Sequence, residues 1–252
     1  MNVLKVQNLN KTYPKFSLKN VSFTVEQGHI MGLIGKNGAG KSTTIKAMLN
    51  MVCPDSGSIA LVGHDFRKEE EICKQDIGVV LGGIDFYPLK KVKSITSITR
   101  RFYKKWDENT YDKFLHVFEI DPEKQIKQLS AGMRVKYSIA VALSHKAKLF
   151  ILDEPTSGLD PVSRDELLDL FKDLVKSGER SILFSTHITT DLEKCADDIT
   201  YIHLGEILRS APYDKFMASF QNLRNPGDKE PLTLQEIMVR TERGKSNVKF
   251  DF

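Results

Sequence analysis

The chain has 252 residues, of which 40% are hydrophobic and 28% charged, which suits one large domain or two small lobes with a substantial buried core. Its formal net charge of +4 is mild and scattered, which argues against nucleic acid as a partner, and its three cysteines lack the spacing of a disulfide framework or a zinc site. No stretch approaches the roughly 20 apolar residues of a membrane helix, and the amino terminus lacks a signal-peptide pattern. We therefore expect that, if the protein acts at a membrane, it does so from the cytosolic side.

The first part of the chain predicts strands that lead into a glycine-rich loop. Alternating polar and apolar residues predict short strands at 2–9 and 20–25, with a turn near 12–16. The apolar run HIMGLIG predicts a buried strand. The spacing of TTIKAMLNMV predicts a helix after the loop, with its apolar face extending to Val52. A turn follows, after which SIALVG and DIGVVLG predict two further strands.

Residues 91–147 have mostly helical patterning, and they indicate a subdomain inserted between strands. Tyr111, Phe114, Leu115 and Phe118 recur on one helix face, which we interpret as core packing. Strands return in KLFILDE and RSILFSTH, with the helical RDELLDLFKDLVKSG between them. This alternation of strands and helices predicts a mostly parallel sheet with crossover helices.

A glycine-rich loop fits the phosphate-binding pattern GxxxxGK(S/T) without a mismatch, and it lies between a predicted strand and a predicted helix. Glycines allow a tight turn that points several N–H groups at phosphate oxygens, and the helix N-terminus adds partial positive charge. We expect Lys41 to reach the β- and γ-phosphates of ATP, Ser42 to ligate Mg²⁺, and Thr43 to add a further phosphate contact. The predicted nucleotide-binding loop consists of Gly35, Lys36, Asn37, Gly38, Ala39, Gly40, Lys41, Ser42 and Thr43.

Two acids end the apolar run LFILDE. A buried strand that stops at Asp153 delivers a carboxylate to the carboxyl end of the sheet, where ligands collect in open α/β folds. We expect Asp153 to hold Mg²⁺, directly or through water. Glu154 would then orient and polarise the water that attacks the γ-phosphate, as a catalytic base.

The segment LSAGM at 129–133 resembles LSGGQ, the signature of ABC ATPases. Downstream, SGLD at 157–160, which ends in Asp160, resembles the D-loop of that family. STH at 185–187 resembles its switch histidine, and Tyr13 resembles the aromatic residue that stacks on adenine. The resemblance covers the chain to about residue 205. It implies an α/β fold with a P-loop NTPase core, a mostly parallel sheet, an antiparallel β subdomain and an inserted α-helical subdomain.

The same resemblance implies a head-to-tail dimer that holds two ATP molecules between its subunits. Ser130 would give a hydroxyl, and Gly132 a backbone N–H, to a γ-phosphate bound by the facing subunit. His187 would contact the γ-phosphate within its own subunit. The implied partners are a second copy of the chain or a paralogous ATPase, together with a separate membrane-spanning permease. The implied location is therefore peripheral, on the cytoplasmic face of the cell membrane.

One position departs from the family pattern. Gly82 stands where family members usually have a glutamine that ligands Mg²⁺, so a water or Asp85 would have to substitute. We expect Mg²⁺ binding to survive because Ser42 and Asp153 remain. The neighbouring Phe86 and Tyr87 resemble the surface that receives a helix from the membrane subunit, with packing between the two lobes as the alternative interpretation.

Residues 102–136 resemble a bacterial exporter branch whose cargoes are peptides, antibiotics, lipids or small toxic molecules, and PLTLQEIMVRTERG resembles its closing helix. We expect an ABC ATPase domain over 1–210, with residues 91–147 inserted, and a short C-terminal extension over 211–252. The alternatives are a soluble ABC ATPase, such as an iron–sulfur cluster assembly factor, and a subunit that binds ATP without hydrolysing it. The presence of Glu154 argues against the latter. The cargo is not encoded in these residues.

Overall fold

The computed structural model describes residues 1–81, 87–225, 227–228 and 230–243. Within them the chain forms two sheets surrounded by helices. The strands are β1 (Asn2–Tyr13), β2 (Phe16–Glu26), β3 (Ile30–Ile34), β4 (Ser56–Leu61), β5 (His64–Asp65), β6 (Ile77–Leu81), β7 (Leu149–Asp153), β8 (Ser181–Thr186), β9 (Asp198–His203) and β10 (Glu206–Pro212). The helices are α1 (Lys41–Met48), α2 (Glu70–Gln75), α3 (Val92–Thr99), α4 (Glu108–Val117), α5 (Ala131–Ser144), α6 (Pro161–Val175), α7 (Thr189–Cys195), α8 (Tyr213–Ser219) and α9 (Leu234–Arg243).

The larger sheet has the strand order β10-β9-β3-β8-β7-β6. All of its pairings are parallel except that between β9 and β10. The smaller sheet, β2-β1-β4-β5, is antiparallel throughout. This architecture confirms the predicted α/β fold class, with a mostly parallel core sheet and an antiparallel β subdomain. Parallel strands bring the carboxyl ends of β3, β7 and β8 to one edge of the sheet.

Two elements differ from the prediction in length. β1 and β2 are longer than predicted because Pro14 and Lys15 form a two-residue turn that joins them into one continuous hairpin. The helix after the glycine-rich loop is shorter than predicted, and the placement of Val52 on its face is wrong. α1 ends at Met48, and Asn50 adopts a left-handed conformation with φ 56°, which an α-helix cannot contain.

Residues 91–147 are mostly helical, as predicted. Tyr111, Leu115 and Phe118 are buried in the core, and Phe114 packs against them, which confirms their interpretation as packing residues. The hydroxyl of Thr96 lies 2.7 Å from that of Tyr111, so the polar end of this buried ring is satisfied.

The segment after residue 211 packs onto the core formed by the preceding residues. Phe216 on α8, and Leu234 and Ile237 on α9, are fully buried. From α9, Glu242 accepts hydrogen bonds from Tyr201 and contacts His203 on β9. The boundary at 210/211 stays a prediction, and α9 occupies the position of the predicted closing helix. No helix in the described part of the chain is long and apolar enough to cross a membrane.

Candidate nucleotide-binding and hydrolysis site

The glycine-rich loop connects the fully buried β3 to α1 at the carboxyl edge of the sheet. A side chain at Gly35 would place its Cβ 2.4 Å from the carbonyl oxygen of Ile202, so only glycine fits there. Gly40 precedes α1 with φ 116°, a conformation that L side chains rarely adopt. Lys36, Asn37 and Gly38 are exposed, so the outer part of the loop is open to a ligand.

The glycine-rich loop is also supported from outside. The N–H of Gly205, in the turn between β9 and β10, donates to the carbonyl of Ala39 at 2.9 Å. The carbonyl of Gly205 in turn accepts from the N–H of Lys19 on β2 at 2.8 Å. A hydrogen-bonded chain therefore joins the antiparallel sheet to the loop, which fixes the loop before any ligand arrives.

Lys41 is the buried cation of the site, with 5% of its surface exposed. Its Nζ donates to the carbonyl of Gly35 at 2.8 Å and lies 3.3 Å from Oε1 of Glu154. The ammonium group therefore lies between the glycine-rich loop and the second acid of the LDE run. Since ion pairs strengthen away from water, this contact holds both side chains at the mouth of the loop.

Ser42 and Asp153 come together as the sequence predicted for metal ligands. The Ser42 hydroxyl donates to Oδ1 of Asp153 at 3.1 Å, and the same oxygen accepts from the hydroxyl of Ser185 at 2.6 Å. Asp153 and Ser185 are direct neighbours in the parallel pairing of β7 with β8. Hydroxyl and carboxylate oxygens are the ligands that Mg²⁺ prefers, so this donor set fits the predicted ion.

Glu154 adopts a left-handed backbone conformation with φ 51°, which is uncommon for a residue with a side chain. Its N–H donates to both the hydroxyl and the carbonyl of Ser185, at 3.0 and 3.1 Å. Its Oε2 lies 2.8 Å from Nδ1 of His187. The structure therefore brings Lys41, Glu154 and His187 into one cluster.

Ser185 was not predicted as a site residue, because its contacts depend on strand register.

The signature segment begins α5. Ser130 is the N-cap, and its hydroxyl accepts from the N–H of Met133 at 3.2 Å. Gly132 lies in the first helical turn, where a Cβ would be 3.6 Å from Cδ2 of Leu159. No contact described for Ser130 or Gly132 involves residues 35–43, so within the described chain the signature does not reach its own loop.

Asp160 caps α6 and accepts from the N–H groups of Val162 and Ser163, both at 3.0 Å. A hydrogen bond from the Ser163 side chain, together with these N–H groups, holds the pKa of the Asp160 carboxyl below its usual value. The predicted D-loop thus lies beside the signature helix, since Leu159 is the residue that faces Gly132.

Tyr13, the predicted adenine contact, ends β1 with 38% of its surface exposed. It pairs with Phe16 across the hairpin, and Cζ of Phe16 lies 2.9 Å from the place of a Cβ on Gly40. The strand partner of Tyr13 therefore lies close to the glycine-rich loop at Gly40. Gly82, Asp85 and Phe86, to which the sequence assigned roles, lie outside the described residues.

The sequence profile of the ABC transporter family matches residues 18–157, more than half of the chain. This chain belongs to the ABC transporter family. The bacitracin transport ATP-binding protein BcrA of Bacillus licheniformis is 34% identical over 215 residues, which cover 84% of this chain and 70% of that protein. The lantibiotic transport ATP-binding protein SrtF of Streptococcus pyogenes is 35% identical over 223 residues, covering 84% of this chain and 92% of that one.

A solved structure of the ATP-binding subunit of an ABC transporter superposes with a TM-score of 0.81 at 28% identity, covering 95% of this chain and 99% of that one. Family membership confirms that this ABC ATPase binds and hydrolyses ATP. Because these relatives are transport subunits, the alternative of an iron–sulfur cluster assembly factor is not favoured.

Proposed function

We propose that this ABC ATPase powers a bacterial exporter of a peptide, an antibiotic, a lipid or a small toxic molecule. The observation that supports ATP hydrolysis is that Asp153 and Glu154 contact Ser42 and Lys41 of the glycine-rich loop at one edge of the sheet. The relatives named for bacitracin and lantibiotic transport support the assignment to export.

Residues 35–43 bind the triphosphate of ATP through their backbone N–H groups and Lys41. The phosphate oxygens replace Glu154 as the partner of the Lys41 ammonium, which lies 3.3 Å from that acid. Ser42 and Asp153 hold Mg²⁺, which when bound neutralises charge on the phosphates. We expect metal binding to survive the absence of a glutamine at position 82 because both of these ligands are present.

Glu154, once released by Lys41, accepts a proton from the attacking water and directs its oxygen at the γ-phosphate. His187 holds the other carboxylate oxygen at 2.8 Å, which fixes the direction of the base. With 44% of its side chain exposed, His187 also has surface available for the γ-phosphate.

The complete site requires a second subunit, either another copy of the chain or a paralogous ATPase. Ser130 is exposed at the N-terminus of the 14-residue helix α5, whose partial positive charge favours a phosphate. Its first turn contributes the Ser130 hydroxyl and the Gly132 N–H to a nucleotide on the facing subunit. Asp160 and the D-loop then lie at the same interface, beside Gly132.

The membrane subunit docks on an apolar rim that is unpaired within the described chain. Ile72 on α2 and Phe102 line a groove of about 670 Å³, and they are 48% and 71% exposed. Met51 and Tyr87 are further exposed apolar side chains, at 49% and 68%. Tyr103 also lines the groove, so three apolar or aromatic side chains meet there among charged residues, a combination that suits a protein partner. Docking here places the ATPase peripherally, on the cytoplasmic face of the membrane.

The test is purification of the native complex from cells. We expect the parental chain to be recovered with a protein that carries several membrane-spanning segments. Phe102→Ser should reduce that recovery at least severalfold because it removes an apolar anchor of the rim. Val117→Ser, which removes a 57% exposed apolar side chain from α4, is the matched control and should leave the complex intact.

The isolated Phe102→Ser chain should hydrolyse ATP at the parental rate. Recovery of the parental chain without any membrane protein would contradict a transport role. Recovery with proteins of iron–sulfur cluster assembly would favour the alternative.

A further inference from the structure

The carboxylate of Asp55 binds the last residues of β1 with both of its oxygens. Oδ1 accepts from Nζ of Lys11 at 2.9 Å, and Oδ2 accepts from the backbone N–H of Thr12 at 2.7 Å. The N–H of Asp55 donates to the carbonyl of Asn10 at 2.8 Å. Three hydrogen bonds therefore fix the end of β1 to the turn that precedes β4.

Lys11 and Tyr13 lie two residues apart on β1, so their side chains emerge on the same face of the strand. The Nζ of Lys11 lies 5.7 Å from the centroid of the Tyr13 ring, within the range of a cation–π contact. The Lys11 side chain is 19% exposed, which shows that it lies along the protein surface instead of extending into solvent.

Both members of the Lys11–Asp55 pair are charged at neutral pH. The hydrogen bond from Lys11 is the largest cause of the lowered pKa of Asp55, and the same bond raises the pKa of Lys11. The Lys11 ammonium therefore stays charged beside the Tyr13 ring, and its hydrogen bond to Asp55 fixes its position.

We propose that Lys11, held by Asp55, is a positioning residue that fixes the Tyr13 ring and covers one of its faces, so that the other face receives the adenine of ATP. This inference rests on the proposed role of Tyr13 in nucleotide binding. Lys11 and Asp55 would contribute to the affinity for ATP, which has a base, and would contribute nothing to the affinity for a phosphate chain without a base.

The position of Asp55 relates this base-binding platform to the phosphate site. Asp55 lies in the connection between α1, which begins at the glycine-rich loop, and β4. β4 pairs with β1, with Ser56 opposite Asn10. Asp55, which holds Lys11, is therefore linked to the phosphate-binding loop through α1 and the connection at 49–55.

The experiment compares two probes, ATP and inorganic tripolyphosphate, by equilibrium titration of the full chain. Lys11→Met should weaken ATP binding about two- to fivefold, the range of an exposed cation–π contact. Its affinity for tripolyphosphate should be unchanged. Lys11→Arg should restore ATP binding because a guanidinium also interacts with an aromatic face.

A double-mutant cycle with Tyr13→Leu makes the test specific for the ring. In the Tyr13→Leu background, Lys11→Met should have no further effect on ATP affinity, because the coupling requires the aromatic partner. Lys172→Met is the matched control, since the exposed Lys172 forms an ion pair with Asp169 on α6 and not with a residue of β1. It should bind both probes like the parental chain.

Two results would overturn the proposal. Parental ATP affinity in Lys11→Met would show that the ammonium does not position the ring, and equal weakening of both probes would show a direct phosphate contact or a general structural effect. Failure of the proposed nucleotide site itself would be visible separately. In that case the parental chain would bind neither probe.

Discussion

At the scale of single residues, Glu154 has the most constrained geometry in the site. Its left-handed backbone, with φ 51°, costs of order 1–3 kcal/mol and persists only where the surroundings enforce it. Here the backbone N–H is held twice by Ser185, and the carboxylate lies between Lys41 and His187. The backbone is thus held in the conformation that directs this acid at the mouth of the phosphate-binding loop.

We predict that Glu154→Gln keeps ATP binding and loses hydrolysis. The amide fills the same space but cannot take a proton from water, so the turnover rate should fall by about 10²- to 10⁴-fold. ATP should then trap a dimer, visible by size-exclusion chromatography. Glu166→Gln, which changes an exposed acid paired with Lys136, is the control and should retain parental turnover. An unchanged rate in Glu154→Gln would refute the assignment of the base.

The residues of this cluster differ in how far the sequence could predict them. The phosphate-binding loop, at residues 35–43, and the acids Asp153 and Glu154 belong to continuous sequence motifs. The predicted strands and helix that flank these motifs indicate where they lie in the fold. Ser185 belongs to the STH motif, but that motif pointed to His187 and gave no sign of a contact between Ser185 and Asp153. Ser185 reaches Asp153 because β8 pairs with β7 in one particular register, and register is set by packing of the whole sheet.

At the scale of elements, the first turn of α5 both caps the helix and leaves space for a ligand at its N-terminus. Ser130 caps the helix, and Gly132 leaves room beside its backbone N–H. Sequence patterning predicted that residues 91–147 are mostly helical, without the bounds of this helix. It did not predict that Leu159 faces Gly132, since that contact joins two elements through the fold. The exact ends of β1 and α1 were missed for a related reason: turn geometry, not periodicity, set them.

We predict that Gly132→Ala separates folding from catalysis. A Cβ there meets Leu159 at 3.6 Å, an ordinary contact, so the free energy of unfolding should rise by about 0.5–1 kcal/mol from helix propensity. The methyl group should obstruct approach to the γ-phosphate of the facing subunit, so ATP hydrolysis and ATP-driven dimerisation should fall. Denaturant titration and turnover assays measure the two effects.

The control for this variant is Gly78→Ala on β6. A Cβ at Gly78 would lie 2.3 Å from Cβ of Ala142 on α5, so overpacking should lower the free energy of unfolding by about 1–3 kcal/mol. Parental turnover in Gly132→Ala would contradict the proposed role of the signature. A loss of stability equal to that of Gly78→Ala would contradict the packing argument.

At the scale of the whole molecule, the proposed parts of the ATP site lie on separate elements. Lys41 and Glu154 meet at the edge of the large sheet, whereas Ser130 and Gly132 begin a helix of the inserted subdomain and, among the described residues, have no contact with residues 35–43. In the proposed head-to-tail dimer, the loop of each subunit would face the signature segment of the other across a two-fold axis.

We predict that two inactive variants restore each other when mixed. Lys41→Ala removes the phosphate contact, and Gly132→Asp places a negative charge at the signature. A mixed dimer retains one site with an intact loop and an intact signature. An equimolar mixture should therefore recover roughly a quarter of the parental rate by random pairing. No recovery, with mixed dimers shown to form, would place both groups in a site within one subunit.

The central position of β3 in the large sheet has a consequence for how such a chain diversifies. The loop that follows β3 contacts both sheets, so a substitution there disturbs many neighbours together. Ile72 and Phe102, on the proposed docking rim, are exposed and can be exchanged at little cost to folding. In that proposal, adaptation to a different membrane subunit would require changes at the rim and none in the residues that hydrolyse ATP.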